Sequence, residues 1–327
     1  METRNRLHKK LCYLHIELPV LEQWDFKVFD VASQDRVMKL ETDVGTKCLQ
    51  LKTSPPQKVF RLFLLTEHLA QQGFKRIPRF IRTKYGEPFI KTGRRYYWVT
   101  DWIIGRPVNF KDQNDVVKSA RTLAEFHLAA KGFYLAGEEL DLTPEWAAEI
   151  LKKAAQIVDL KSQINSPTFL KESLRIMAER AVCAAKILTG SGYRQLKERQ
   201  RMEQSFCHGA LNREHLIMSN GEVYMTGLSH WMREIRLRDL AEFLFLTGRV
   251  NQWDVQLCQK IMENYDRIYP LLPVEINLLQ GYLLFPFGYW ELLKELAEKN
   301  AGREETIAML ESYLQQEEKK LKCLAIY

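Results

Sequence analysis

From Trp24 to Lys52 the chain reads WDFKVFDVASQDRVMKLETDVGTKCLQLK, with apolar and polar residues alternating except at ASQD and TDVG. A period of two interrupted by turn residues predicts three short antiparallel strands. Gln57–Gly73, QKVFRLFLLTEHLAQQG, changes to helical spacing and ends on a glycine of the kind that stops helices. PFIKTG and RRYYWVTDW return to strand character, so five strands and one helix predict a small α+β lobe. After Trp102 the pattern changes again. IIGRP reads as a connector, and VVKSARTLAEFHLAAKG, TPEWAAEILKKAAQIVDL, FLKESLRIMAERAVCAAKIL and the segments after Arg238 are helical in period. The interruption is FCHGALNREHLIM followed by GEVYMTGL. The expected division is a β-rich domain over 1–101 and a helical domain over 102–327, with a cleft between lobes as the first place to look for a ligand.

Composition narrows the class. With 327 residues, 46% of them hydrophobic, the chain can bury a core for two lobes. No internal repeat or low-complexity segment is present. The formal charge of +7 is unevenly placed: Met1–Phe110 holds 20 Lys/Arg against 11 Asp/Glu. Much of the excess lies in KRIPRFIRTKYGEPFIKTGRR, residues 75–95, where Glu87 is the only acid. This segment is a candidate docking face for an anionic partner, or a solvated hairpin with its apolar residues turned inward. No nucleic-acid motif accompanies it.

Cys12, Cys48, Cys183, Cys207, Cys258 and Cys323 are scattered without a C-x-x-C pair, which suggests neither a zinc site nor a disulfide framework and fits a reducing compartment. His15 and Glu17 interrupt the short apolar run near the start, so a secretory signal is not expected. Nor is a membrane span, because no run of about 18 uninterrupted apolar residues occurs.

Six segments in fixed order carry a resemblance. KLETDVGTKCLQLK, HLAQQGFKRIPRF, TDWIIGRP, LAEFHLAAKGF, FCHGALN and RLRDLAEFL together resemble the two-lobed kinase-like fold in its aminoglycoside/choline-kinase version, and more narrowly the CotS-type spore-coat kinase-like family of endospore-forming bacteria. The resemblance implies a role for each matching residue. Lys52 matches the third-strand lysine that holds nucleotide phosphates, and the backbone from Val99 to Asp101 matches the hinge. The helix glutamate that partners such a lysine is poorly matched, since Glu67 lies one to two turns late. VASQDR stands where a glycine-rich turn is expected and contains no glycine.

The catalytic loop of the superfamily resembles His-Gly-Asp-Leu-x-x-x-Asn. His208, Gly209 and Leu211 match, but Ala210 stands at the aspartate position and His215 at the asparagine position. A methyl group cannot accept a proton, and losing a positioned general base costs roughly a hundredfold to ten-thousandfold in rate. Gly227, in MTGL, takes the place of the aspartate that bridges Mg²⁺ to phosphate, and offers no oxygen ligand from a side chain. By contrast, Asp239 in RLRDLA matches the aspartate that anchors the loop by accepting backbone hydrogen bonds, and His208 is the other loop-shaping position.

No catalytic residue and no metal site are therefore expected. His208, His215 and His230 have no metal-binding spacing, although Glu214, Ser229 and Glu234 bring oxygens whose use depends on geometry. His127 reads as a satisfied core histidine, and YLLFPFGYW as core rather than an aromatic cage. Three functions compete: a catalytically inactive pseudokinase with an assembly role in the spore coat, an unconventional phosphotransferase acting on a coat protein or a small hydroxylated or aminated substrate, and a nucleotide- or ligand-binding module using Lys52, Val99 and Asp101. The first is preferred. The resemblance implies coat proteins as partners and the coat as destination after synthesis in the mother cell; ATP stays open as a ligand and Mg²⁺ is disfavoured.

Overall fold

The computed structural model of the protein describes residues 2–34, 37–53, 56–135, 145–163, 168–298 and 303–324. They form two compact units, Met1–Pro107 with His215–Ser229, and Val108–Glu214 with His230–Tyr327.

The first unit begins with α1 (Glu2–Tyr13) and α2 (Leu18–Leu21), followed by β1 (Val28–Gln34), β2 (Val37–Thr42), β3 (Gly45–Lys52), α3 (Pro56–Gln71), β4 (Phe80–Ile81), β5 (Ile90–Thr92), β6 (Arg95–Asp101) and β7 (Arg106–Pro107). The antiparallel order is β1-β2-β3-β6-β4, with β5 also paired to β6. Gly45 takes φ +93° in the turn between β2 and β3, a conformation that favours glycine. The turn expected at VASQDR includes residues 35–36, which lie outside the described residues.

Strand alternation gives this sheet two different faces. On one, Val31, Leu40, Leu49, Tyr97 and Val99 pack with Leu7, Leu11, Val20, Leu21 and Trp24 from the N-terminal helices. The Trp24 indole ties this layer to the sheet by donating to the Ile81 carbonyl at 2.7 Å. Leu49 is fully buried here, and truncating such a residue to alanine costs about 2–5 kcal/mol. The other face carries Trp98 and Phe80, stacked at 6.3 Å, with Phe63 of α3 edge-on to Phe80. The N-terminal helices were not expected from the apolar pattern. α1 is strongly polar apart from Leu7 and Leu11, and its identity as a cover depends on the sheet it meets.

Residues 215–229 belong to this unit although they follow the helical segments, because β8 (Leu216–Ser219) pairs with β7 and with β9 (Glu222–Met225). Gly105 shows how closely these strands approach: a β-carbon there would lie 2.3 Å from the Met218 carbonyl oxygen. The expected division after residue 101 is thus displaced to Pro107, and one later segment returns to the first unit.

The second unit is helical: α4 (Gln113–Ala129), α5 (Glu145–Gln163), α6 (Thr168–Leu188), α7 (Ser191–Met202), α8 (Leu237–Val250), α9 (Val255–Asp266), α10 (Pro273–Leu284), α11 (Phe287–Glu298) and α12 (Arg303–Leu324). Asp112 caps α4 by accepting from the Asn114 amide, and Asp254 caps α9 by accepting from the Leu257 amide. Phe126, Phe206, Phe243, Phe285 and Tyr289 are among its fully buried rings. YLLFPFGYW therefore contributes to the core, with Phe285 and Phe287 centroids 4.6 Å apart.

Candidate functional site

The anchor of the catalytic-type loop lies wholly in the second unit. Asp239 sits in the first turn of α8 and is completely buried. One of its oxygens, Oδ2, accepts the His208 amide at 2.6 Å, while Oδ1 accepts the Gly209 amide at 3.0 Å. His127 Nε2 also lies 3.0 Å from Oδ2, and His127 Nδ1 is 2.7 Å from the Tyr265 hydroxyl. Burial alone would raise the Asp239 carboxyl; the hydrogen bonds from His127 and the Gly209 amide reverse this and hold it below its ordinary value. Burial lowers His127 despite the adjacent carboxylate, which keeps the imidazole neutral. Its Nε2–H then donates to Asp239 and its Nδ1 accepts from Tyr265.

Gly209 can make this turn because its φ is +80°, and any β-carbon would lie 2.4 Å from the His230 carbonyl oxygen. Where a general base would follow, Ala210 supplies a methyl group; its amide is 3.4 Å from His208 Nδ1. Asn212 turns the chain by accepting the Glu214 amide at 2.9 Å. Glu234 is engaged internally: the Tyr193 hydroxyl donates to it at 2.8 Å and Lys197 lies 3.2 Å away. Glu214 is exposed, and His230 is exposed as well.

His215 and Gly227 meet in the first unit. The Thr226 amide donates to the His215 carbonyl at 2.9 Å, and Gly227 adopts φ +75°. A β-carbon on Gly227 would lie 2.5 Å from His215 Cδ2 and 2.6 Å from its Nε2. The imidazole thus occupies the space into which an aspartate side chain would leave the backbone. This pair does not fit magnesium: one residue supplies a nitrogen and the other no side-chain ligand, whereas Mg²⁺ is held by hard oxygens including carboxylate.

Lys52 lies exposed at the end of β3, opposite Tyr96 in the register. The β3 residue that lines the pocket beside Gly227 is Gln50, two positions earlier on the same face. Leu62 and Thr66 of α3 line it too, together with Phe80, Trp98 and Thr100. Glu67 turns elsewhere, accepting Arg79 Nη2 at 2.7 Å. Of the hinge residues, Val99 is buried in the cluster with the N-terminal helices, and the Asp101 amide donates to the Arg79 carbonyl at 3.1 Å. The Asp101 carboxylate pairs with Lys47 at 3.0 Å.

The structure brings Asp239, His208 and Gly209, singled out by their motifs, into hydrogen-bond contact, and adds Gln50 to the pocket lining and His127 to the group, neither of which the motifs indicate. The alternation Cys48, Gln50, Lys52 was available as a signal for the first. Nothing local signalled the second, because Asp239 is 112 residues away.

Residues 75–95 put several cations to internal use. Arg82 lies 4.7 Å from the Phe63 ring centroid and donates to the Gly86 carbonyl, while Arg95 donates to the His15 carbonyl. Ile77 and Phe80 point inward; Lys75, Lys84, Lys91 and Arg94 remain exposed. Among the described residues, no helix is long and apolar enough to cross a membrane.

Residues 193–327 match the family described as "Spore coat putative kinase YutH". Spore coat protein S of Bacillus subtilis is 24% identical over 282 residues, covering 82% of this chain and 80% of that protein. Among solved structures, an aminoglycoside phosphotransferase from Alicyclobacillus acidocaldarius superposes with a TM-score of 0.81 at 19% identity, covering 95% of this chain and 94% of that one. An amicoumacin kinase in complex with AMP-PNP and Ca²⁺ gives a TM-score of 0.55 at 13% identity, with 96% of each chain covered. These similarities show the aminoglycoside phosphotransferase-like fold, and the match over residues 193–327 together with the coat-protein relative supports a likeness to the CotS-type kinase-like family.

Proposed function

We propose that the protein serves the spore coat as a non-catalytic assembly or recruitment protein, with its kinase fold retained as a scaffold. The similarity to spore coat protein S supports the destination. The observation that carries the loss of chemistry is the His215 imidazole packed on Gly227, where a metal-bridging aspartate would have to project. Ala210 removes the base independently, and Gln50 places a neutral amide where the third strand faces the pocket. Coat proteins are the partners on this reading, and the exposed cations at Lys75, Lys84, Lys91 and Arg94 form the docking face.

The test combines biochemistry with localisation. Purified protein is titrated with ATP and ADP by calorimetry, with and without Mg²⁺, and assayed for phosphoryl transfer to extracted coat protein; a fluorescent fusion is followed in sporulating cells. The expected result is coat localisation with neither magnesium-dependent binding nor transfer. Turnover of ATP by the unaltered chain would overturn the non-catalytic reading, and a fusion that never reaches the coat would overturn the assembly role.

A further inference from the structure

Cys258 and Cys323 are distant in the sequence and meet in the second unit. Cys258 belongs to α9 and Cys323 to the last turn of α12; both are buried, and their thiols hydrogen-bond each other. The Cys323 S–H also donates to the Trp253 carbonyl at 3.2 Å, and since a thiol has a single proton, Cys258 is the donor within the pair. Accepting this bond holds the Cys323 thiol below its ordinary value, against burial and the nearby Asp254 charge, whereas donating it raises Cys258 with the help of burial. Cys323 is therefore the member that ionises and attacks. Both cysteines line a cavity of about 30 Å³, together with Trp253, Met262 and Leu279. One water needs about 10–15 Å³, so this space has room for a molecule as small as hydrogen peroxide.

The helix that carries Cys323 is held partly by buried charge. Lys320 and Glu317 pair with each other at 0% and 2% exposure, Lys320 also donates to the Phe285 carbonyl at 3.3 Å, and Glu317 Oε2 meets Arg180 at 3.5 Å without a hydrogen bond. A buried ion pair returns little net stability after desolvation, so a covalent tie in this last turn adds a restraint that the packing of α12 does not. We propose that Cys258 and Cys323 are an oxidation site at which hydrogen peroxide makes a disulfide, tying the last turn of α12 to α9. The Cys323 thiolate attacks one peroxide oxygen and the O–O bond breaks; hydroxide leaves, takes up the proton that the thiol gave away and becomes water, and Cys323 is a sulfenic acid. The Cys258 sulfur then attacks the Cys323 sulfur, the S–O bond breaks, and the departing hydroxide takes the Cys258 proton as a second water. The two thiols lose two electrons in all, and the peroxide gains them.

The test uses the full-length chain carrying Cys12→Ser and Cys183→Ser, which removes the two exposed thiols and keeps the buried ones. After treatment with hydrogen peroxide and alkylation of the remaining thiols, a digest made without reductant is mapped by mass spectrometry. A peptide pair joined through Cys258 and Cys323 is expected, with a rise in Tm on the order of 5 °C that dithiothreitol reverses. Adding Cys258→Ala should stop the reaction at a Cys323 sulfenic acid that dimedone traps, and adding Cys323→Ala should leave Cys258 unoxidised. Each variant is compared with its own reduced form, so that any loss of packing cancels, and neither should show the rise in Tm. Sulfenic or sulfinic acid left on Cys323 while Cys258 is present, a disulfide to Cys48 or Cys207 instead, or both thiols still open to alkylation once Met262 has been oxidised, overturns the proposal. A joined pair without a rise in Tm, or a rise that persists in Cys323→Ala, overturns the tie between α12 and α9.

Discussion

Asp239 and Gly227 stand at two positions where the sequence resemblance leads one to expect an aspartate, and their surroundings are opposite in kind. Asp239 keeps its carboxylate, with the His208 and Gly209 amides and His127 all bonded to it. Gly227 has no side chain, and the His215 ring fills the space beside its α-carbon. The difference follows from what each group would lose. Removing the buried Asp239 leaves three polar groups without partners, a penalty on folding itself. A ligand-binding carboxylate at residue 227 does its work only when nucleotide and metal arrive, so its loss can be absorbed by packing. On the proposed non-catalytic reading, structure is retained where it stabilises the empty protein, and a carboxylate is dispensed with where only a bound substrate would use it.

The largest expected effect attacks the retained side. Asp239→Ala should cost about 3–5 kcal/mol, because the His208 and Gly209 amides and the His127 imidazole lose their common acceptor in a site without solvent. Urea unfolding measures it; a loss under about 1 kcal/mol would mean the loop does not depend on this anchor.

The vacated side is probed by coupling. Gly227→Asp alone should destabilise by about 1–3 kcal/mol, since its β-carbon would collide with His215. The left-handed φ adds little for aspartate, which tolerates that region better than most residues. His215→Asn together with Gly227→Asp should recover most of that loss, so that a double-mutant cycle in unfolding free energy reports an interaction of about 1 kcal/mol or more. Strict additivity would show that the imidazole is not what fills the aspartate's space.

Acidity separates two carboxyls on one helix. Glu242 lies three residues beyond Asp239 on α8, and burial, then the Asp239 charge, push its carboxyl up to about 7. The folded state therefore binds a proton between the ordinary value of 4.5 and about 7 that the unfolded chain releases. Its contribution is fully present below pH 4.5 and is lost as pH rises through 7. Glu242→Gln should thus be on the order of 2 kcal/mol more stable relative to the parent at pH 8 than at pH 4. Asp239 has the reverse sign: its depressed carboxyl stabilises above its ordinary range and is lost only as strong acid protonates it in the fold. Unfolding curves at the two pH values check Glu242, and curves carried on into strong acid check Asp239.

The smallest effect is expected at Lys52. Lys52→Ala, at an exposed strand end, should change stability by no more than about 0.5 kcal/mol. A larger loss in urea unfolding would mean that Lys52 ties the end of β3 into the first unit.

Much of the fold was legible because periodicity is a local property. The strands from Val28 to Lys52 and the helices α3, α4 and α6 lie where the alternation and the helical spacing put them. Two-residue β4 was too short to leave a period, and α1 too polar to announce a buried face. The site was legible wherever a residue type alone decides the chemistry. Ala210 cannot be a base and Gly227 cannot donate a side-chain ligand in any fold, so the sequence determined those vacancies, along with the motif position of Asp239. Tertiary structure alone decided that Gln50 rather than Lys52 lines the pocket, that His215 rests on Gly227, that His127 joins the anchor, and that β8 and β9 return to the first unit. Alternation along a strand defines two faces without saying what covers either, and a hydrogen bond spanning 112 residues leaves no mark on either end of the sequence.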